Sequence, residues 1–557
     1  MLCRVLFHRT SQVLRLDDKN ASRIVSDLVN SRPSLRCIWQ ALNGTQIMYD
    51  VAVIGGGIAG MATAARLQAR GLSTVVLEAH GQPGGCAGFF RRKGFSFDVG
   101  ATTLVDFEEN GVGAELLADI AMSLRDNESL PGYTAWLPDR TVNLYRDQLA
   151  WSRERLQLLG DSAAHQRFWK LLDYLSGVFW EISRGGAKLP LQNIPDAVHA
   201  IRLLGIANLP AARFLRWTLG DALKSFGLRN DKPLVGLLSM LVEDTVHSTV
   251  DDAPLINAAL GITIRGAGLT RPKGGMRGFW KRFTEHYRQL GGQLRAGCFV
   301  NKVVGQLGNY QIETRRGVVQ AAQVVSAVPV ALTSRIAHSV VGPRLERYLR
   351  RDAGSLGGAI VVFLGVPEEE VSDHRFTHHQ LLCDYDSPLG NGNNSFISVS
   401  SPGDTESAPS GYRAVMISTH CELSDWIDLP KDEYQRRKVE TGQRLLDLTR
   451  RVYPTLAEQA VVYEIATPRT YERFTLRPGG AVGGVRQTLI NSNQHAVPYD
   501  LGIPGFFLVG DTTWPGLGTV ACVLGSRIVA NLVLETSRKA VDRSVPYEYY
   551  NREAIVS

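Results

Sequence analysis

The sequence predicts a two-domain α/β protein, and three observations carry that prediction. An apolar strand runs into a glycine turn and a helix at 49–60, and a strand ending in an acid follows at 73–78. A further strand ending in Gly-Asp stands near the C-terminus, at 505–511. Because these pieces of one domain lie far apart in the chain, the other domain must be interleaved between them.

Gly55, Gly57 and Gly60 give the spacing GxGxxG directly after the strand Val51-Ala52-Val53-Ile54. The first glycine permits the tight turn, and the second lets backbone approach a pyrophosphate. The third lets the helix pack on the strand, with its N-terminus aimed at phosphate charge. The helix is expected over 61–70, with Gly71 at its C-cap and a second strand over 73–77. That strand delivers Glu78, eighteen residues past Gly60, where a carboxylate accepts from the ribose hydroxyls of an adenosine. The plain alternative is a solvated strand end. The combination predicts a bound adenine dinucleotide.

The next motifs choose between dinucleotides. Pro83-Gly84-Gly85-Cys86 follows Glu78, and Gly94-Phe95-Ser96-Phe97-Asp98-Val99-Gly100 comes after it. A glycine pair here brings more backbone close to phosphate and ribityl groups. At the far end, Gly510-Asp511 closes a strand, and Gly516-Leu517-Gly518-Thr519 opens a final helix over 520–535. An acid at a strand tip holds a ribityl hydroxyl. A helix N-terminus beyond it stabilises a reduced flavin ring. NAD has neither group, so FAD is the expected cofactor. The last glycines also spell GxGxxA, but no strand with an acid about twenty residues on follows them. A second dinucleotide site is therefore not expected.

These motifs resemble those of the FAD-dependent phytoene desaturases and carotenoid isomerases, within the wider amine-oxidase-like flavoprotein group. The matching pieces are 53–60, Glu78, 83–85, 95–100, Lys273-Gly274-Gly275-Met276, 300–304, 324–329, Thr467-Pro468 and 508–519. They fall in the family's order over most of residues 48–535. The resemblance implies a Rossmann-like FAD-binding domain interleaved with a second α+β substrate domain. It implies cofactor contacts at Gly55, Gly57, Gly60, Glu78, Gly84, Gly85, Gly100, Gly510, Asp511, Gly518 and Thr519. It also places a backbone group at Val303 against the adenine. Two positions depart from the family: Cys86 stands where a basic residue is common, and Trp514-Pro515 where His-Pro or Phe-Pro is common. Both are expected near the flavin.

The expected FAD domain comprises 48–104, 271–332 and 505–540. The second domain comprises 105–270 and 333–504, helical first and strand-rich later. Residues 1–47 are read as an extension outside the fold, with Met48 as the working start, and 541–557 as a tail. Within the second domain, 194–228 places Leu215, Leu219, Leu223 and Phe226 on one helical face and Arg216 and Lys224 on the other. Such a helix either lies in a membrane interface or packs on the core. The lipid-soluble substrates of the family favour the membrane. The short run at 359–366 reads as a buried strand.

At 557 residues and 44% hydrophobic composition, the chain has material for two large cores. A net charge of +7 without a nucleic-acid-binding motif points to anionic lipid and away from nucleic acid. Seven scattered cysteines without a CxxC pair argue for a reducing compartment. His378-His379 lacks partners at metal spacing and reads as loop or surface, so no metal is expected. No run of about eighteen apolar residues occurs, so no membrane-spanning helix is expected. The composite expectation is a cytoplasmic, peripherally membrane-associated FAD enzyme that desaturates a long polyene hydrocarbon in a dry apolar channel. Oxygen or a quinone would serve as external electron acceptor. A cis–trans isomerase with reduced FAD, a flavin amine oxidase with Trp514 as one cage wall, and a non-catalytic flavoprotein are the alternatives. The catalytic group is not identified by sequence.

Overall fold

The computed structural model describes residues 47–124 and 127–544, with side chains to 539; the expectations for 1–46 and 545–557 lie outside it. The strand Met48–Ile54 stands at the centre of the first sheet. Its run Val51-Ala52-Val53-Ile54 is buried throughout, as a parallel strand covered on both faces requires. Thr74–Leu77 and Gly317–Ser326 flank it in parallel. Gln293–Arg295 and Phe506–Leu508 add further parallel pairs, and Asn309–Thr314 and Val300–Gln306 close the sheet antiparallel. Its strands thus come from three separated stretches of chain.

Register then decides where a ligand sits. Ile54 lies opposite both Leu77 and Ser326, and Ser326 lies opposite Leu508. Four strands therefore end in one row, and residues 55, 78, 327 and 509 leave from the same edge. This is the carboxyl edge at which open α/β sheets bind their ligands. The helix Ile58–Ala69 runs back from that edge and packs against Thr519–Ser544. The two share a core with Met276, Phe279 and Trp280.

Among the described residues one helix, Thr519–Lys539, is long and apolar enough to cross a membrane, which the sequence reading had not anticipated. Half of it is buried within the protein, where Val523, Leu524, Val529 and Val533 pack with Ala62 and Leu67. Its apolar character is accounted for by that core.

The second sheet is ordered Val462–Ala466, Gly357–Pro367, Tyr412–Glu422, Asn394–Val399, His378–Leu382, Gly132–Trp136, Thr141–Tyr145. The strand Gly357–Pro367 is buried over its whole length. Ile360, Val362 and Leu364 face a core closed by the helix Lys431–Thr449, while Ala359, Val361 and Phe363 face the opposite way. A helical layer of Ala163–Arg184, Lys232–Val246 and Leu255–Ile262 covers one end.

Three expectations change. The helices Val330–Ile336 and His338–Arg351 pack through Val330, Val341 and Leu345 onto the first sheet's core, so the chain stays with that sheet beyond 332. The 194–228 region is three helices, Ile194–Leu204, Ile206–Arg216 and Leu219–Ser225, rather than one amphipathic face. Leu219 and Leu223 are fully buried while Leu215 is exposed, because the chain turns at Trp217 and Thr218 and the last helix enters the core. His378 and His379 are also buried, as the first residues of a strand. His378 Nε2 lies 3.2 Å from Thr102 Oγ1 and 3.1 Å from Ser398 Oγ, and the ring stacks on Tyr133. His379 is bracketed by Trp136 Nε1 at 3.2 Å and Tyr453 Oη at 2.9 Å. Burial keeps both imidazoles neutral, with His379 pushed down to about 3.

Candidate functional site

A cavity of about 1080 Å³ opens along the carboxyl edge of the first sheet and continues against the second sheet. It exceeds the upper end of ordinary small-ligand pockets, roughly 1000 Å³. The space therefore suits a large cofactor and a substrate together.

The three glycines of the first turn are required for three different reasons. Gly55 holds φ +104°, a left-handed conformation, and a β-carbon there would press on Val328 and the Ala327 carbonyl. At Gly60 a β-carbon would collide with the Gly55 carbonyl, so this glycine sets how closely helix meets strand. Gly57 has ordinary backbone angles, and among the described residues no atom lies within 4 Å of where its β-carbon would stand. That open space is the cavity, which is lined by Gly57, Ile58 and Ala59. The helix N-terminus has no side-chain cap, so its first N–H groups are left for an anion.

Glu78 is locked into the same edge. Its Oε2 accepts from the Gly56 N–H at 2.6 Å and its Oε1 from the His80 N–H at 2.7 Å. A carboxylate has lone pairs to spare beyond these, and it faces the cavity. Burial raises its pKa, against the pull of the backbone N–H groups of His80 and Gly56. Gly84, at φ +140°, donates its N–H to Gly56 O at 2.9 Å, which ties the second glycine motif to the first. Gly84, Gly85 and Gly100 all line the cavity. A β-carbon at Gly100 would meet the Cys86 carbonyl.

At the other end, Gly510, Asp511, Gly518 and Thr519 line the same space. Thr519 begins its helix and accepts from the Val105 N–H through Oγ1 at 3.2 Å. Gly518, at φ +100°, again has nothing within 4 Å of a notional β-carbon. Two glycines bordering empty space, an uncapped helix N-terminus and a buried acid at a strand tip fit an adenine dinucleotide. The second helix N-terminus beside Asp511 fits the flavin half of FAD.

Two expected residues stand elsewhere. Val303 points into the core with Tyr310 and Ile312, and the strand reaches the cavity earlier, at Cys298, Phe299 and Val300. The strand bulges between Val300 and Lys302 and bends away from the edge. Trp514 is also buried, packed with the helix core, and its carbonyl accepts from Tyr499 Oη. It does not line the cavity, so it forms no cage wall.

Sequence reasoning missed Arg477. Its guanidinium pairs with Asp511 Oδ2 at 2.5 Å, both side chains largely buried, and it lines the same cavity as Cys86. Burial alone would lower the Arg477 pKa, but the neighbouring Asp511 raises it. No local pattern marks this residue.

The cavity beyond Asp511 is partly apolar. Val361, Phe363, Phe396, Met416, Ala466 and Val482 line it. It is not the wholly apolar channel expected, because Tyr133, Asp244, Arg265 and His420 also face it. Among the described residues no group of three or more His, Cys, Asp or Glu is arranged to hold a metal ion.

The family model of the flavin containing amine oxidoreductases matches residues 58–534. The chain is 25% identical to the chloroplastic prolycopene isomerase of Arabidopsis thaliana, over 90% of this chain and 86% of the relative. It is 26% identical to the lycopene-forming phytoene desaturase of Pantoea ananas, over 88% of this chain and 99% of the relative. Among solved structures, cyclohexylamine oxidase from Brevibacterium oxydans superposes with a TM-score of 0.56 at 16% identity, over 88% of this chain and 100% of that one. That likeness establishes the fold.

Two variants separate cofactor contact from folding. Gly57→Val should keep its melting transition but purify colourless, because the new side chain occupies open cavity. Gly60→Val should lose the fold, since it drives a side chain into backbone. Full flavin absorbance in Gly57→Val would refute the pyrophosphate assignment. For the buried pair, Asp511→Ala should cost about 3–5 kcal/mol in chemical denaturation, because Arg477 is left uncompensated. Adding Arg477→Ala should recover part of that loss. Additive effects of the two changes would show the pair to be energetically idle.

Proposed function

The chain belongs to the flavin containing amine oxidoreductases, and from that premise we propose that it is an FAD-dependent desaturase of a long conjugated polyene. The observation that carries this reading is the continuity of one cavity from Glu78 and the glycine turns to the apolar wall at Val361, Phe363 and Met416. Bound FAD would supply a two-electron acceptor for a hydride. The chain's own part is placement. Glu78 and the first glycine turn hold the adenosine half, while Asp511 and the Thr519 helix end orient the ring half. The strands Gly357–Pro367 and Tyr412–Glu422 keep water from the substrate. A polyene spreads positive charge along its own conjugation, so positioning and dryness account for most of what a protein must add. The electrons then pass to an external acceptor, oxygen or a quinone.

A cis–trans isomerase of the same polyene is the second reading, favoured by the likeness to prolycopene isomerase along nearly the whole chain. An amine oxidase is disfavoured by the burial of Trp514 away from the cavity. Expression in a host that accumulates polyenes separates the first two. A product lighter by two hydrogens identifies a desaturase, and an unchanged mass with altered retention identifies an isomerase. Bleaching of the flavin by an amine but not by a polyene would reject both.

Membrane contact is proposed on a different face from the one the sequence indicated. Ile194, Val198 and Ile201 follow one side of a helix and are exposed, and Ile206 beyond them is 88% exposed. Arg202, Arg213 and Arg216 are exposed around them. Exposed isoleucines and exposed arginines on the two successive helices match an anionic lipid surface, each cation contributing roughly 1 kcal/mol. Ile201→Glu with Ile206→Glu should abolish co-sedimentation with anionic liposomes, and high salt should weaken it in the unaltered protein. Binding indifferent to both would remove this face from consideration.

A further inference from the structure

The two central strands of the second sheet carry a polarity gradient along the cavity. Phe363 lies opposite Met416, Val361 opposite Ser418 and Ala359 opposite His420. All six line the cavity. Residues two apart point to the same face, and four residues of antiparallel strand cover about 14 Å. Over that length the wall passes from phenylalanine and methionine to serine and then to histidine.

The polar end is built from four elements. His420 comes from the strand Tyr412–Glu422, Asp244 from the helix Lys232–Val246, Arg265 from the short helix Ile264–Ala267, and Tyr133 from the strand Gly132–Trp136. His420 Nδ1 lies 3.4 Å from Glu243 Oε2. Asp244 is one of the exposed side chains although protein surrounds it, because the space it reaches is the cavity. Its one side-chain hydrogen bond is long, 3.4 Å from Gln380 Nε2. Arg265 is buried and bonds through Nη2 to the Ile262 carbonyl at 2.6 Å. His247 stands beside His420, ring centroids 5.0 Å apart, and its buried Nδ1 has no partner among the described residues.

Several features argue against a hydrocarbon at this end. A pure hydrocarbon would strip water from Asp244 and His420 and offer Arg265 no hydrogen bond. Carboxylates and basic groups both face this end, Asp244 and Glu243 beside Arg265 and His420, so a ligand of one charge meets its like as well as its opposite. A neutral hydroxyl can donate to a carboxylate and accept from a guanidinium at once. The surrounding protein raises the pKa of Asp244 and lowers that of Arg265 to about 10, since it solvates either charge less well than bulk water does. For His420, burial works downward, but Glu243 and Asp244 outweigh it and the net shift is upward.

We infer that the cavity recognises a polyene bearing a neutral oxygen function, a hydroxyl foremost, with its oxygen among Asp244, Arg265 and His420 and its chain along Val361, Phe363 and Met416. This rests on the polyene reading and narrows it. The cluster lies next to the cofactor end, since His247 packs on Gly483 and the following Gly484 on the Asp511 carbonyl. The oxygen would therefore sit close to the reacting part of the molecule.

The test uses the FAD-loaded protein and two probes of equal length, all-trans-retinol and its deoxy hydrocarbon, axerophtene. Binding is followed by fluorescence quenching. A site built to pair a hydroxyl rejects the analogue that lacks it, so retinol should bind about tenfold tighter or more. Asp244→Leu and Arg265→Met should each bring the two affinities together with FAD content unchanged, and Asp244→Asn should restore part of the difference. Equal affinities in the unaltered protein would overturn the inference and leave the polyene reading standing. Failure of both probes to bind would overturn the polyene reading itself. Loss of FAD in both Asp244→Leu and Arg265→Met would reassign the cluster to the cofactor.

Discussion

The parallel register of the first sheet is the constraint on which the rest of the molecule depends. Ile54, Leu77, Ser326 and Leu508 end in one row. The glycine turn, Glu78, Ala327 and Gly510 are consequently delivered to one edge from three separated stretches of the chain. The bond from the Gly56 N–H to Glu78 makes that row rigid, and the bond from the Gly84 N–H to Gly56 O extends it to the second glycine motif. A slip of one residue would turn every strand's side chains to the other face. It would also withdraw the acid from the edge.

The second sheet solves a different problem. Its strand Gly357–Pro367 is apolar on both faces because one seals a helical core and the other borders the cavity. Alternate residues of it and of Tyr412–Glu422 meet the cavity while their neighbours serve packing. Two strands that look purely structural thus also form the cavity wall at Val361, Ser418 and His420.

Part of the charge in the interior borders the cavity. Arg477 with Asp511 and His420 with Glu243 are pairs, while Asp244 and Arg265 have few protein partners of their own. Paired buried charges keep their geometry without a ligand. The less satisfied ones are where a ligand has most to contribute, since a buried polar group without a partner costs about 1–3 kcal/mol.

Much of the cofactor half was legible in the amino-acid sequence. Gly55, Gly57, Gly60, Glu78 and the Gly510–Thr519 segment declare themselves because glycine geometry and strand-end acids are local requirements, readable from spacing. The substrate half was not. Arg477, Asp244, Arg265 and His420 carry no spacing signal, because each is brought to the cavity by a different element, and only long-range packing makes them neighbours. Val303 and the 194–228 region misled for a related reason. A bulge brings the strand to the cavity at Val300 and not at Val303, and a turn at Trp217–Thr218 sent Leu219 and Leu223 inward, leaving Ile194, Ile201 and Ile206 outside. Local chemistry, read residue by residue, determined that this protein binds a dinucleotide. What shares the cavity with it was decided by tertiary structure, since a binding surface assembled from distant segments exists only once they pack.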